Sequence, residues 1–302
     1  MKAESKAYIG LHIAIFLWGF TAILGKLISF GEMLLVWHRL WITCLSFLLI
    51  PGLFRALKRI PPGRILVFAG IGILVALHWV FFYGSIKYSN ASLALSALAT
   101  SSLFTSVLEP LVMRTRIKLS DVFLGLLVIL GIALIFSVSE VYTKGLLWGI
   151  VAAFLAAAFS ILNKKYLADY EGKAVSFVEL GAGFLFLSIL LPFTVDGLGS
   201  GTMMPGTRDF VLLVLLAVGC TTMPYILSLN ALRYISAFKS NLAINLEPVY
   251  GILMAVAFLG ESKDLSGKFY AGTLLILVAV FLKPILRYTV KKARGVGQRF
   301  RT

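Results

Sequence analysis

A carboxylate stands beside a proline, Glu247-Pro248, inside the apolar stretch 237–259. An ionisable group at such a place is costly in lipid, so it must face a cavity or a partner. Glu247 can hold the cationic part of a solute or take up a proton; the other reading is that it braces a neighbouring helix. Pro248 removes the helical donor for the Ile244 carbonyl, which opens the backbone where carriers often build sites. Asn241 and Asn245 are four apart and share a face, whereas Glu247 lies about 200° round the helix from Asn245. Either the asparagines line a path and Glu247 braces, or the reverse.

His78, Trp79 and Tyr83 recur along the stretch 64–86, and Tyr225 follows Pro224 in 210–231. Aromatic bodies with one polar edge suit the wall of a solute site or contact a cation through their faces, and a histidine titrates near neutral pH. Alternatively, such residues anchor helices at a membrane border. Ser96 and Thr100 belong to a string of small hydroxyls that either forms a polar wall or allows close helix packing. Trp18 and Gly19 lie in the first apolar run. Arg39, near the outer end of its run, either draws anionic groups into an outer vestibule, snorkels to headgroups or pairs with Glu32. No catalytic residue, cofactor or metal is expected. There is no GxxxxGK[ST] loop, no metal-ligand spacing, and Cys44 and Cys220 sit singly in apolar runs.

These residues need long helices to place them. Of the 302 residues, 60% are hydrophobic and 14% charged, well short of the charged quarter typical of soluble domains. Spans of about 20 apolar residues fall at 7–28, 33–53, 64–86, 90–113, 120–138, 145–163, 175–195, 210–231, 237–259 and 267–287. Runs such as VFLGLLVILGIALIFSV (122–138) do not alternate as barrel strands do. The fold class expected is an all-α membrane protein of ten transmembrane helices. With the N-terminus inside, 21 of the 28 Lys and Arg fall on the cytoplasmic side and 5 outside. The positive-inside bias puts both termini in the cytoplasm, ending in a basic tail (291–302) able to touch anionic lipid. The net charge of +15 is thereby a membrane signature, and no nucleic-acid partner is expected. No gap holds a soluble domain.

The ten runs form two sets of five, 1–138 and 139–290. IKYSNASLA (86–94) parallels LRYISAFKS (232–240), GKL (25–27) parallels NKK (163–165), and Pro51 parallels Pro192. Five is odd, so the second set enters the membrane inverted. Arg39 and Glu179 hold matching places in the two sets. LWGFTAILGK, HRLWITCLSFLLIP and above all INLEPVYGILMAVAFLGE resemble the EamA family of the drug/metabolite transporter superfamily over residues 7–287. That resemblance implies a ten-helix inverted repeat in a bacterial inner membrane, carrying a small metabolite such as an amino acid, often outward, by alternating access. Partners are then the solute and membrane lipid, with protons as a candidate coupling ion, in a monomer or homodimer. The rival is a membrane-embedded lipid-modifying enzyme, with His78 and Glu247 as its one nucleophile-and-base option, or a lipid flippase-like protein.

Overall fold

The computed structural model describes residues 3–114, 119–136, 142–167, 169–194, 203–232, 234, 243–244, 246–261, 266–279 and 281–282. Asn241, Asn245 and the basic tail lie outside the described residues. Among those described there is no strand. The helices are α1 Ala3–Leu27, α2 Glu32–Leu48, α3 Leu53–Leu57, α4 Pro62–Tyr88, α5 Ala91–Ala99, α6 Ser101–Met113, α7 Leu119–Phe136, α8 Thr143–Tyr166, α9 Gly172–Thr194, α10 Thr207–Val214, α11 Met223–Leu232, α12 Glu247–Leu259 and α13 Gly267–Ala279. A wide, π-helical stretch, Leu215–Thr222, joins α10 to α11.

Six segments are long and apolar enough to cross a bilayer: Ser5–Leu27, Pro62–Tyr88, Ala91–Met113, Thr143–Tyr166, Gly172–Thr194 and Thr207–Ser228. Between 39% and 50% of each most apolar window is buried. The rest of each is apolar yet faces outward; Leu66 and Phe193 are 75% and 83% exposed. Helices greasy on their outer faces need lipid around them. This is a multi-pass membrane protein.

Hydrogen bonds define two ends of the bundle. At one, the Lys26 ammonium reaches the Ser89 carbonyl, Ser29 donates to Asp209, and Ser85 donates to the Gly145 carbonyl at 2.7 Å. At the other, Arg59 pairs with Glu171 and Lys164 with Glu109. We call these the Lys26 end and the Arg59 end. α4 packs on α8 and α9; α1 packs on α11 and α12; α2 packs on α9 and the π-helical stretch; α5 packs on α8 and α12. A Cβ on Gly131 would meet the Gly272 carbonyl oxygen at 2.7 Å, so this glycine serves packing within the chain.

Two departures from regular helix bear on the site. The span at 90–113 breaks at Thr100, whose hydroxyl donates to the Ala97 carbonyl at 2.6 Å. Ser102, Thr105 and Ser106 bond back to their own helix in the same way, which is how hydroxyl side chains bend helices. Just after the π-helical stretch, Pro224 offers no N–H to the preceding turn. Thr221 and Thr222 donate their hydroxyls to the carbonyls five residues back, Leu216 and Ala217, at 2.9 and 3.1 Å.

Glu261, at the exit of the LEPVYGILMAVAFLGE segment, is 4% exposed. Its two carboxylate oxygens accept from the backbone N–H groups of Ala91 and Ser92 at 2.9 and 2.8 Å. Asn90 caps the same helix by accepting from the Leu93 N–H. A buried anion on orphan amides at a helix N-terminus is a strong cap. Glu261→Gln should destabilise the fold by about 1–3 kcal/mol, the worth of a charged hydrogen bond. The check is the Tm of the detergent-solubilised protein, expected to fall by several degrees.

Candidate functional site

A cavity of about 300 Å³ lies at mid-depth between α1, α2, α4, α5–α6, α8, α11 and α12. Its wall includes Trp18, Arg39, His78, Trp79, Tyr225 and Glu247, with Pro248 behind the last. Seven of the residues singled out by sequence are thus brought together from five helices. The other described ones do not line it. Ser96 is buried against Thr273, 3.0 Å between hydroxyls, and also donates to the Ser92 carbonyl. Thr100 is spent on its own helix. Pro224 is buried at the start of α11 and does not line the cavity.

Arg39 corrects an expectation. It neither snorkels nor pairs with Glu32. Starting from Glu32 at the Lys26 end, α2 carries residue 39 about 10 Å down the helix, where it is 3% exposed. Its guanidinium carbon lies 3.7 Å from the centroid of the Trp79 ring. Nε donates to the Thr221 hydroxyl at 3.0 Å, and one terminal nitrogen donates to the Tyr83 hydroxyl at 2.8 Å. Tyr83 therefore sits behind the cavity and fixes Arg39. Glu32 instead accepts from the Tyr88 hydroxyl. The partners hold the guanidinium in place without neutralising it; the ion pairs among the described residues all lie at the Arg59 end.

Glu247 heads α12, with Pro248 in the first turn. There the missing N–H of proline costs nothing, and an anion is favoured by the helix dipole. The expected opening of the backbone is realised as a helix start. α1 approaches closely here: a Cβ on Gly19 would meet the Gly251 nitrogen at 3.0 Å and the Glu247 carbonyl oxygen at 3.2 Å. The Glu247 carboxylate makes no hydrogen bond or ion pair with another described residue. It shares the cavity wall with Arg39 and feels its charge.

The remaining wall is aromatic and weakly polar. Phe82 stacks on His78, with ring centroids 6.1 Å apart, and Phe159 meets His78 edge-on at 5.4 Å. His78 Nδ1 lies 2.8 Å from the Ala152 carbonyl and donates to it, leaving Nε2 as its free ring nitrogen. Trp18 meets Tyr225 edge-on at 6.1 Å. Ser101, from the same string of hydroxyls as Ser96 and Thr100, also lines the cavity, as do Thr21, Phe159 and Ser160, which carry no distinguishing pattern in sequence. Toward the Lys26 end, eight of the nine residues of α5 are buried. Toward the Arg59 end, α6 has no buried residue, and Ser160 on the wall is exposed.

A greasy helical bundle around a charged, aromatic-walled central hollow is the build of a membrane transporter, and comparison with known proteins agrees. The profile of the EamA-like transporter family matches residues 5–137 and again 143–283; the chain belongs to that family. It is 28% identical over 300 residues to an uncharacterized inner membrane transporter of Salmonella typhimurium, covering 93% of this chain and 96% of the relative. An uncharacterized transporter of Clostridium kluyveri is 22% identical over 230 residues, 73% of this chain and 71% of its own. A solved crystal structure superposes with a TM-score of 0.64 at 17% identity, over 95% of this chain and 99% of that one, and shares the fold.

Proposed function

We propose that the chain is a secondary transporter that moves a small metabolite by alternating access, and that its two halves, 1–138 and 139–290, are inverted repeats. The observation that carries this reading is the central cavity bearing both Arg39 and Glu247 without an ion pair between them. Packing supports the repeat. Exchanging α1 with α8, α2 with α9, α4 with α11 and α5 with α12 turns the contact of α4 with α8 into that of α11 with α1. The contact of α5 with α8 likewise becomes that of α12 with α1. The Ser29–Asp209 bond at the Lys26 end then corresponds to the Arg59–Glu171 pair at the other end. An exchange that also swaps the ends is an inversion, as in carriers built on two opposed repeats.

The charge bias of the sequence makes the Arg59 end cytoplasmic. The cavity is then open to the cytoplasm and sealed outward, the loading state of an exporter. A volume of about 300 Å³ is at the small end of ligand sites. A fixed cation and a carboxylate unpaired among the described residues suit a solute bearing both an acidic and a basic group, with an apolar body against Trp18, Phe82 and Tyr225. An amino acid has that chemistry.

The test is counterflow of labelled amino acids and related metabolites into proteoliposomes. Saturable exchange of one of them is expected, and conversion of the solute without movement would favour an embedded enzyme instead. Glu247→Gln should slow exchange by roughly tenfold or more, the worth of one charged hydrogen bond, while the variant inserts and melts like the parent. Unchanged exchange would remove Glu247 from the site.

A further inference from the structure

Glu179 lies eight residues into α9, 4% exposed, where Gly72 of α4 lets the two backbones meet. It does not line the cavity. The Asn163 side-chain amide donates to its Oε2 at 3.4 Å. Its other oxygen, Oε1, is buried with no hydrogen-bond partner, and so is Oδ1 of the same Asn163. Two touching side chains therefore each present an orphan acceptor, and buried acceptors are rarely left so.

Among the described residues no cation is bonded to the carboxylate, and none of the ion pairs involves it. On α8, Lys164 is held by Glu109, and Lys165 lies over the Tyr166 ring. On α9, Lys173 serves Glu171 and the Pro51 carbonyl. From α4, Arg64 lies over Tyr166 and His78 serves Ala152. From α2, Arg39 is tied to Thr221, Tyr83 and the Trp79 face, His38 sits beside the Met203 carbonyl at the Lys26 end, and Cys44 is a free thiol. Arg55 of α3 is at the Arg59 end, and Tyr225 of α11 is within electrostatic range of Glu179.

We infer that Glu179 and Asn163 form a proton-binding site beside the transport cavity. One proton on Glu179 Oε1 donates to Asn163 Oδ1, while the amide N–H donates to Oε2. Both orphans are satisfied by this one proton, in a closed acid–amide pair, and the charge disappears with them. A bridging water would satisfy the oxygens but leave the charge in place. A hard metal cation takes six or more oxygens, and two are orphaned here. The site communicates with the cavity: Asn163 is one turn beyond Ser160 on the same face of α8, and Ser160 is exposed on the cavity wall. The proton is taken from water while the cavity is open to one side and released to water on the other side after access alternates, leaving the carboxylate. Resting on the carrier reading above, this site couples solute movement to the proton gradient, while Glu247 serves the solute.

The experiment uses the full chain in lipid vesicles with two readouts. Infrared difference spectra across a pH step should show a protonated-carboxyl band that is absent in Glu179→Gln and retained in Glu247→Gln. Asn163→Ala should keep the band and shift it toward that of a free acid. In vesicles holding a pH-sensitive dye, added solute should move protons in the parent, and the protons moved per solute should fall to zero in Glu179→Gln. A band unchanged by Glu179→Gln, no protonated-carboxyl band in the parent, or movement driven by a sodium rather than a proton gradient would overturn the site. If the parent moves no solute at all, the carrier reading fails, and the infrared band still decides where the proton resides.

Discussion

Arg39→Gln should abolish transport while leaving a folded protein in the membrane. Arg39 is the cation on the cavity wall, and it is placed there by three contacts from two elements: the Trp79 face and the Tyr83 hydroxyl of α4, and the Thr221 hydroxyl of the π-helical stretch. Hydrogen bonds to a charged group are worth about 1.5–3 kcal/mol, and each 1.4 kcal/mol is about a factor of ten. Loss of two such bonds to an acidic solute group therefore lowers exchange by roughly a hundredfold or more. Arg39→Lys should rescue little. An ammonium lacks the planar fork that reaches Thr221 and Tyr83 together while lying flat on an indole. Counterflow measured alongside Tm separates the two roles: a variant that melts near the parent and exchanges nothing has lost the site, not the fold. Exchange in Arg39→Gln within a few-fold of the parent would take the guanidinium out of solute binding.

Gly72→Ala should be the most damaging of the glycine substitutions that touch no solute. The missing side chain faces the backbone of Glu179, and a Cβ there would lie closer than 3.0 Å to the carbonyl oxygen, the carbonyl carbon and Cα together. Backbone cannot swing away as a side-chain tip can, so α4 and α9 must part. Overpacking of this kind costs about 1–3 kcal/mol, and it pries at the wall beside Asn163. Gly70→Ala, two residues earlier on the same helix with nothing within 4 Å of the added carbon, is the matched control and should be neutral. Thermal melting of both in one detergent is the check. Equal Tm values would mean that the helices have room to slide.

The membrane class and most helices were legible because long apolar runs have few other uses. The inner half of the site was legible for the same physical reason: Glu247 has no business in lipid unless something faces it, and Pro248 marks the helix start that places it. Arg39 shows where reading along the chain stops. Depth in a span says how far a residue is from the border, but a long side chain can reach back to water or inward. The choice here was made by Tyr83 and Thr221 on other helices. Ser96 and Thr100 erred in the opposite direction, since a hydroxyl can donate to its own helix as readily as to a solute. Glu261 stood out as part of a family-like segment, yet its task, holding the amides of a helix 170 residues earlier, exists only in three dimensions. Asn163 was visible merely as one residue of NKK, and no linear pattern links it to Glu179.

The wide turn at Leu215–Thr222 changes how chains of this kind must be lined up. A π-helical turn takes up residues beyond the ordinary 3.6 per turn, so everything after it is rotated relative to a regular helix, by about 100° for one extra residue. Tyr225 reaches the hollow with that rotation included. Relatives without a proline at the place of Pro224 can bring the same face inward with one residue fewer. A single-residue gap in that stretch is then a marker of geometry kept, not of geometry lost.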